Sequence, residues 1–254
     1  MSEKNIRPCF DERIISDESD RGIVSIHVKR YEFARPFCEG KRVLDVACGT
    51  GYGSDYLGIT AKEVIGVDIS GEAIEYAQKK YAKENVSFRI MDACRLEFPD
   101  QFFQVICSFE TIEHLSEVET YLIQIKRVIT LGGLYFVSTP LAKETTLRAE
   151  NPFHHQEWAP RDFEHLLKRH FTSVKLFGQR RKQTGLHRFL QKLDFLSLHK
   201  KFRLSFFTKT LSHASGTTPF AHMELEDIEI VENDLKQALY LVAVCSNARD
   251  GIHL

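Results

Sequence analysis

Along the chain, short runs of β-branched and aromatic residues alternate with longer stretches whose apolar side chains recur every three or four positions. RVLDVAC (42 to 48), EVIGVDI (63 to 69), VSFRIMD (86 to 92), FFQVICSF (102 to 109) and LYFVST (134 to 139) read as buried strands. Between them, GEAIEYAQKKYAKE (71 to 84) sets Ile74, Ala77, Gln78 and Tyr81 at helical spacing, and VETYLIQIKRVI (118 to 129) does the same with Leu122, Ile125, Val128 and Ile129. Strands alternating with helices are the mark of βαβ units, so the chain is expected to be α/β with a doubly wound, mostly parallel sheet. After Pro140 a polar loop leads into PRDFEHLLKRHF, where Pro160 and Asp162 suit a helix start. TSVKLFG (172 to 178) and ALYLVAVCS (238 to 246) then read as the last two strands.

Length changes this picture little: 254 residues suit one domain with a sizeable core. Within it, residues 1 to 40 are expected to be an N-terminal helical cap with a partly disordered start, 41 to 140 a ligand-binding core, and 141 to 254 the substrate-side half. The formal net charge of -1 argues against a nucleic-acid partner, which calls for a basic excess. Residues 180 to 209 are a local exception, with nine Lys or Arg and one acid, Asp194, among Phe and Leu. This stretch reads as an insertion near 180 to 220, either a lid contacting an anionic substrate or a solvated helical face. No run is long and apolar enough to span a bilayer, and MSEKNIRPCFDERIISDESD lacks the features of a secretory signal. With six cysteines scattered without CxxC spacing, a reduced, cytoplasmic protein is expected.

Candidate chemistry begins at VLDVACGTGYGS (43 to 54), where a buried strand runs into a glycine-rich turn that opens a helix. Gly49 and Gly51 allow a ligand to approach the backbone. No Lys-Ser or Lys-Thr follows, as a triphosphate loop requires, and Asp45 at the strand end would repel a pyrophosphate but suits the ammonium of a methionine moiety. Asp68, ending the second strand, is placed to take both hydroxyls of a ribose. Asp92, ending the third, can accept from an adenine amine while Met91 and Ala93 flank the ring, and Ile69 adjoins Asp68. Three acids at successive strand ends line the crevice where open α/β sheets bind ligands.

The run VLDVACGTG, VIGVDIS, FRIMDAC, FQVICSFETIEHL and LGGLYFVSTP resembles the class I S-adenosylmethionine (SAM) dependent methyltransferases over residues 41 to 140. HVKRYEFARPFCEGKR, NPFHHQEW and FGQR look like the bacterial subgroup of methyltransferase type 11 or 12 that methylates small glycan-type substrates in polysaccharide gene clusters. The resemblance implies a Rossmann-like sheet of seven strands with the last antiparallel, and SAM held by Gly49, Gly51, Asp68 and Asp92. One position departs from the pattern: Ala47 stands where the family has its first loop glycine. An N-terminal helix that closes over the cofactor in relatives makes His27, Arg30 and Tyr31 candidates for its carboxylate end, the alternative being a helix packing face.

Methyl transfer is an in-line displacement, so the protein must align a nucleophile and, for a hydroxyl, deal with its proton. Glu110, Glu113 and His114 in FETIEHL follow strand four, and His154, His155 and Glu157 lie in NPFHHQEW. E-x-x-E-H followed by H-x-x-E-W is similar to the metal site of the small-RNA 3′-end 2′-O-methyltransferases, which maps onto Glu110, Glu113, His114 and His154 as ligands for Mg²⁺ or Mn²⁺. The metal-free alternative makes His154 or His155 the general base, with Glu113 and His114 capping a helix. Trp158 is open to packing or to stacking. Together these features point to O-methylation of a small polar sugar or nucleotide-linked glycan precursor, with RNA 2′-O-methylation, small-molecule N-methylation and SAM binding without catalysis as alternatives.

Overall fold

A computed structural model describes residues 20 to 182 and 223 to 252, apart from 148, 150, 236, 249 and 250. The elements in chain order are α1 (Arg21–Ala34), a 3-10 turn (Arg35–Cys38), β1 (Arg42–Val46), α2 (Tyr52–Leu57), β2 (Glu63–Asp68), α3 (Gly71–Tyr81), β3 (Val86–Ile90), β4 (Phe103–Phe109), a 3-10 turn (Ile112–His114), α4 (Val118–Val128), β5 (Ile129–Pro140), α5 (Pro160–Lys168), β6 (Ser173–Arg181), a 3-10 turn (Leu225–Asp227), β7 (Ile228–Glu232) and β8 (Tyr240–Ser246).

Local chemistry sets these boundaries. Ser70 caps α3, its hydroxyl accepting from the Ala73 N–H at 3.3 Å, while Lys79 and Lys80 sit in the last turn where the helix dipole favours cations. Pro160 opens α5, where its missing N–H costs nothing. The strands form one sheet of order β3-β2-β1-β4-β5-β8-β6-β7. Neighbours from β3 to β5 pair in parallel, and β8 runs antiparallel between β5 and β6. The chain leaves the β3 edge and re-enters at β4 on the other side of β1, which opens a crevice at the carboxyl ends of β1 and β4.

The side-chain period of two sorts the strand residues between two cores. Leu44, Val46, Ile65, Val67, Ile106, Tyr135 and Val137 bury against Tyr121, Leu122 and Ile125 of α4 and Phe163 and Leu167 of α5. Val43, Val64, Val105, Cys107 and Phe136 bury against Tyr31 and Ala34 of α1, Leu57 of α2, and Ile74 and Ala77 of α3. The five described cysteines are free thiols, four of them buried. Among the described residues no helix is long and apolar enough to cross a membrane.

Two sequence expectations need correction. The sheet has eight strands rather than seven, because β7 pairs antiparallel with β6. IEIVE buries only Ile228 of its five residues, so its pattern carries no strong strand signal. It covers the backbone edge that β6 would otherwise leave open, and Arg180 of β6 fastens it through Glu229 at 2.8 Å. Second, β5 begins at Ile129, directly after α4, with a register shift opposite Phe103 and Val105. The expected disordered start and most of the basic insertion fall at 1 to 19 and 183 to 222, outside the described residues.

Candidate active site

The glycine loop turns through three left-handed residues, Ala47 (φ 56°), Gly49 (φ 54°) and Gly51 (φ 86°). Asp68 anchors it: one carboxylate oxygen accepts the Gly49 N–H at 3.0 Å and the other the Ser70 N–H at 2.9 Å. A Cβ on Gly49 would meet open space, so this is the loop position a ligand can approach. At Gly51 it would lie 2.6 Å from Ala77 Cβ, so that glycine serves close packing on α3. A non-glycine residue pays roughly 1 to 2 kcal/mol for the left-handed region, and a glycine loses about 0.4 to 1 kcal/mol more backbone entropy on folding. Ala47→Gly is therefore expected to stabilise the fold by about 0.5 to 1 kcal/mol, read as a higher urea midpoint at constant slope. Farther along the edge, Asp92 is exposed, with Oδ1 accepting the Cys94 N–H at 2.8 Å, and Met91 and Ala93 are half-buried beside it. Ile69 stands 67% exposed after Asp68.

Asp45 does not face the crevice. It is fully buried, with the Tyr31 hydroxyl 3.2 Å from Oδ1 and the Ser54 hydroxyl donating to Oδ2 at 2.6 Å. It thereby ties α1 and α2 to β1, and with no exposed surface it offers an ammonium no open approach. Tyr31 is also enclosed, its ring edge-on to Phe109 at 4.9 Å and filling the space beside Gly53. Burial pushes the Asp45 carboxyl up to about 7, with Asp68 adding repulsion and the two hydroxyls pulling the other way. The folded state therefore prefers the neutral carboxyl, and the stability it contributes in acid is lost as pH rises through about 7. Thermal unfolding should show Asp45→Asn gaining on the wild type between pH 5 and pH 8 by about 2 to 3 kcal/mol; a constant difference would remove the assignment.

Arg30, expected to reach the cofactor, is wholly buried instead. Its Nε donates to Gln179 Oε1 at 2.7 Å, its guanidinium lies 4.3 Å over the Tyr240 ring, and Nη1 is 3.3 Å from Glu110 Oε1. The helical phase of α1 points it across the sheet to β6 and β8. His27, one turn earlier, is held neutral by burial and by the charge of Arg30.

At the end of β4 the chain turns sharply through Glu110 (φ 53°) into the 3-10 turn that carries Glu113 and His114. Glu113 is fully buried, and neither carboxylate oxygen makes a well-formed hydrogen bond. Desolvation, then the charge of Glu110, holds its carboxyl well above the usual range, opposed in part by its own backbone N–H, by Arg30 and by the Thr139 hydroxyl. A strap from Leu141 to Trp158 brings in the histidine: bridges join Leu141 to Trp158 and Thr146 to Glu157, and the N–H groups of His155 and Gln156 donate to the Glu113 carbonyl at 2.8 and 3.3 Å. Glu113, His114 and His154 consequently bring ligand atoms within 4.8 Å of one another. His114 Nδ1 is 3.0 Å from the Phe153 carbonyl, and His154 Nδ1 is 2.7 Å from Glu157 Oε1. Such outer partners fix a ring's tautomer and aim its second nitrogen. The Asn151 amide lies 3.0 Å from His154 Nε2 and would have to turn aside for that nitrogen to ligate or to take a proton.

Glu110 stands outside this group, because its left-handed backbone sends its side chain to Arg30 and Ser138. His155 is exposed and contributes its backbone rather than its ring. Trp158 is 3% exposed and packs on Phe163, which is the packing role. Gln179 (in FGQR), Asn151 (in NPFHHQEW), Tyr240 and Ser138 are not singled out individually by the sequence. Only Asn151, three residues before His154, carried a signal of spacing.

Residues 44 to 137 match the model of a methyltransferase domain. The chain is 32% identical over 137 residues to a "Probable S-adenosylmethionine-dependent methyltransferase" of Mycolicibacterium smegmatis, covering 52% of this chain and 51% of that one. It is 34% identical over 108 residues to a ubiquinone biosynthesis O-methyltransferase of Mesorhizobium japonicum, with 42% and 43% coverage. The chain thus spans about half the length of these relatives. In fold it is similar to the crystal structure of a SAM-dependent methyltransferase from Thermotoga maritima, with TM-score 0.60 at 16% identity over 91% of this chain and 95% of that one. Over residues 44 to 137, then, the chain carries a methyltransferase domain similar to that of SAM-dependent methyltransferases.

Proposed function

We propose that the protein transfers the methyl group of SAM to a hydroxyl of a small polar acceptor, a sugar or glycan precursor, with a divalent cation held by Glu113, His114 and His154. The observation that carries this reading is Glu113: a wholly buried carboxylate with no well-formed hydrogen bond is costly unless a cation or a proton meets it, and two imidazoles stand beside it. One carboxylate and two imidazoles suit a borderline divalent cation such as Mn²⁺ better than Mg²⁺, which calls for oxygen ligands. When bound, a cation there supplies Lewis acidity that lowers the pKa of a hydroxyl. His154 is oriented by Glu157 and His114 by the Phe153 carbonyl, so the chain holds the set in place before an acceptor arrives. The relative named as an O-methyltransferase is in keeping with a hydroxyl acceptor.

For the cofactor, Asp68 at the end of β2 receives the ribose, the exposed Ile69 offers an apolar face to the adenine, Asp92 meets its amine, and Gly49 gives the methionine end room. Residues 1 to 254 then act as one methyltransferase domain, with the basic stretch from 180 to 209 meeting any anionic group carried by the far end of the acceptor.

Calorimetric titration of chelator-treated protein with S-adenosylhomocysteine (SAH), repeated with Mn²⁺, tests both halves. SAH should bind, and one Mn²⁺ per chain should bind in the wild type and be lost in Glu113→Gln. SAH binding with no Mn²⁺ binding would leave His154 as a general base, and no SAH binding would overturn the reading.

A further inference from the structure

Groups from four elements converge on Glu110 and on the arginine paired with it, outside the candidate cation cluster. Its backbone, at φ 53°, is in a conformation costly for a glutamate, and such strain persists only where the surroundings hold it. Ser138 of β5 grips it twice, accepting the Glu110 N–H at 3.1 Å and donating its own hydroxyl to Oε1 at 2.7 Å. Arg30 of α1 approaches the same oxygen at 3.3 Å. Gln179 of β6 accepts from Arg30 Nε and is itself fixed by donating to the Ile26 carbonyl at 2.7 Å, and Tyr240 of β8 underlies the guanidinium. A wholly buried guanidinium demands an opposite charge, and Glu110 is the carboxylate paired with it among the described residues.

All of this engages Oε1. Oε2 has no partner among the described residues, and the side chain keeps 15% of its surface exposed. Glu110 directly follows β4, at the carboxyl edge of the sheet where the strand order reverses, and its charge is felt by Tyr52, which opens α2, and by Tyr240, which opens β8. In both tyrosines burial is the larger cause of a raised hydroxyl.

We propose that Glu110 is the acceptor-binding carboxylate of this site, taking a hydroxyl or ammonium of the methyl acceptor on Oε2, and that Arg30 is its positioning residue. A carboxylate only accepts hydrogen bonds, so the subsite takes a neutral or cationic group next to the reacting atom and rejects an anionic one. The proposal rests on the methyltransferase reading and assigns a role that reading leaves open.

The test uses chelator-treated, SAH-saturated protein and three fragments of one scaffold: 4-(hydroxymethyl)benzylamine, 1,4-benzenedimethanol and 4-(hydroxymethyl)benzoate, titrated to millimolar concentration by ligand-observed NMR. The wild type should bind the amine and the diol and exclude the benzoate. Glu110→Gln should weaken the amine about tenfold and the diol about threefold, and should admit the benzoate. Arg30→Gln should shift the ranking the other way, sharpening the preference for the amine, which loss of packing alone would not do. If Glu110→Gln leaves Arg30 unbalanced and the protein unfolded, the double variant Glu110→Gln with Arg30→Met removes both charges and should lose the ranking by charge. Benzoate binding to the wild type as well as the amine, no binding of amine or diol, or an unchanged ranking in the folded variants would each overturn the proposal. Failure of SAH to bind, measured first, would instead sink the methyltransferase reading itself.

Discussion

Asp68→Ala is expected to lower SAH affinity by about 1.5 to 3 kcal/mol, roughly 10- to 150-fold. Two losses combine. The carboxylate that would receive the ribose disappears, and so does the acceptor that holds the Gly49 N–H at 3.0 Å and the Ser70 N–H at 2.9 Å. The second loss loosens the loop a ligand must approach and the N-terminus of α3 together. Asp68→Asn keeps one acceptor oxygen and should lose less. Calorimetry with both variants measures the effect, and an unchanged affinity in Asp68→Ala would remove Asp68 from the cofactor site.

The second large effect is expected at His154. His154→Ala should weaken Mn²⁺ binding by more than about 100-fold, because a ligand is worth more than the outer partners, whose removal commonly costs 10- to 100-fold. Glu157→Ala, which removes the carboxylate 2.7 Å from His154 Nδ1, should cost about tenfold by freeing the ring. SAH affinity should stay within about twofold in both, since the cluster lies at the end of β4 and the proposed ribose and adenine groups at the ends of β2 and β3. Elemental analysis and calorimetry on the three proteins decide the matter: equal metal affinity in wild type and His154→Ala would end the metal reading. Loss in Glu157→Ala equal to that in His154→Ala would mean that the strap, rather than the ring, had been lost.

Much of this architecture is written in local pattern. The strands from 42 to 109 carry continuous β-branched and aromatic runs because both of their faces are covered, as Leu44 and Val43 entering opposite cores illustrate. The glycine loop is legible because a left-handed turn selects glycine at 49 and 51, and Asp68 because it ends a β-branched run at the carboxyl edge of the sheet. β7 was hidden, since a short edge strand with one buried residue has no period to detect.

The site divides in the same way. The E-H and H-x-x-E spacings identify Glu113, His114 and His154 as chemistry-bearing, yet only the strap from 141 to 158, folded back so that His155 and Gln156 bond the Glu113 carbonyl, brings them within ligand distance. Spacing could not separate Glu110 from Glu113, because one left-handed backbone angle sends the first to Arg30 while the second is buried beside the histidines. Nor could it tell that Asp45, Tyr31 and Arg30 are enclosed, since helix phase and the thickness of α1 packed on the sheet decide which polar groups meet solvent. What the sequence by itself determined is the α/β order of elements and the residue types at each strand end, because both arise from short-range periodicity and backbone preference. Which of those residues face the crevice, which pair with one another, and which charge answers a buried arginine were decided by tertiary structure, because burial and ion pairing are made by residues far apart in the chain.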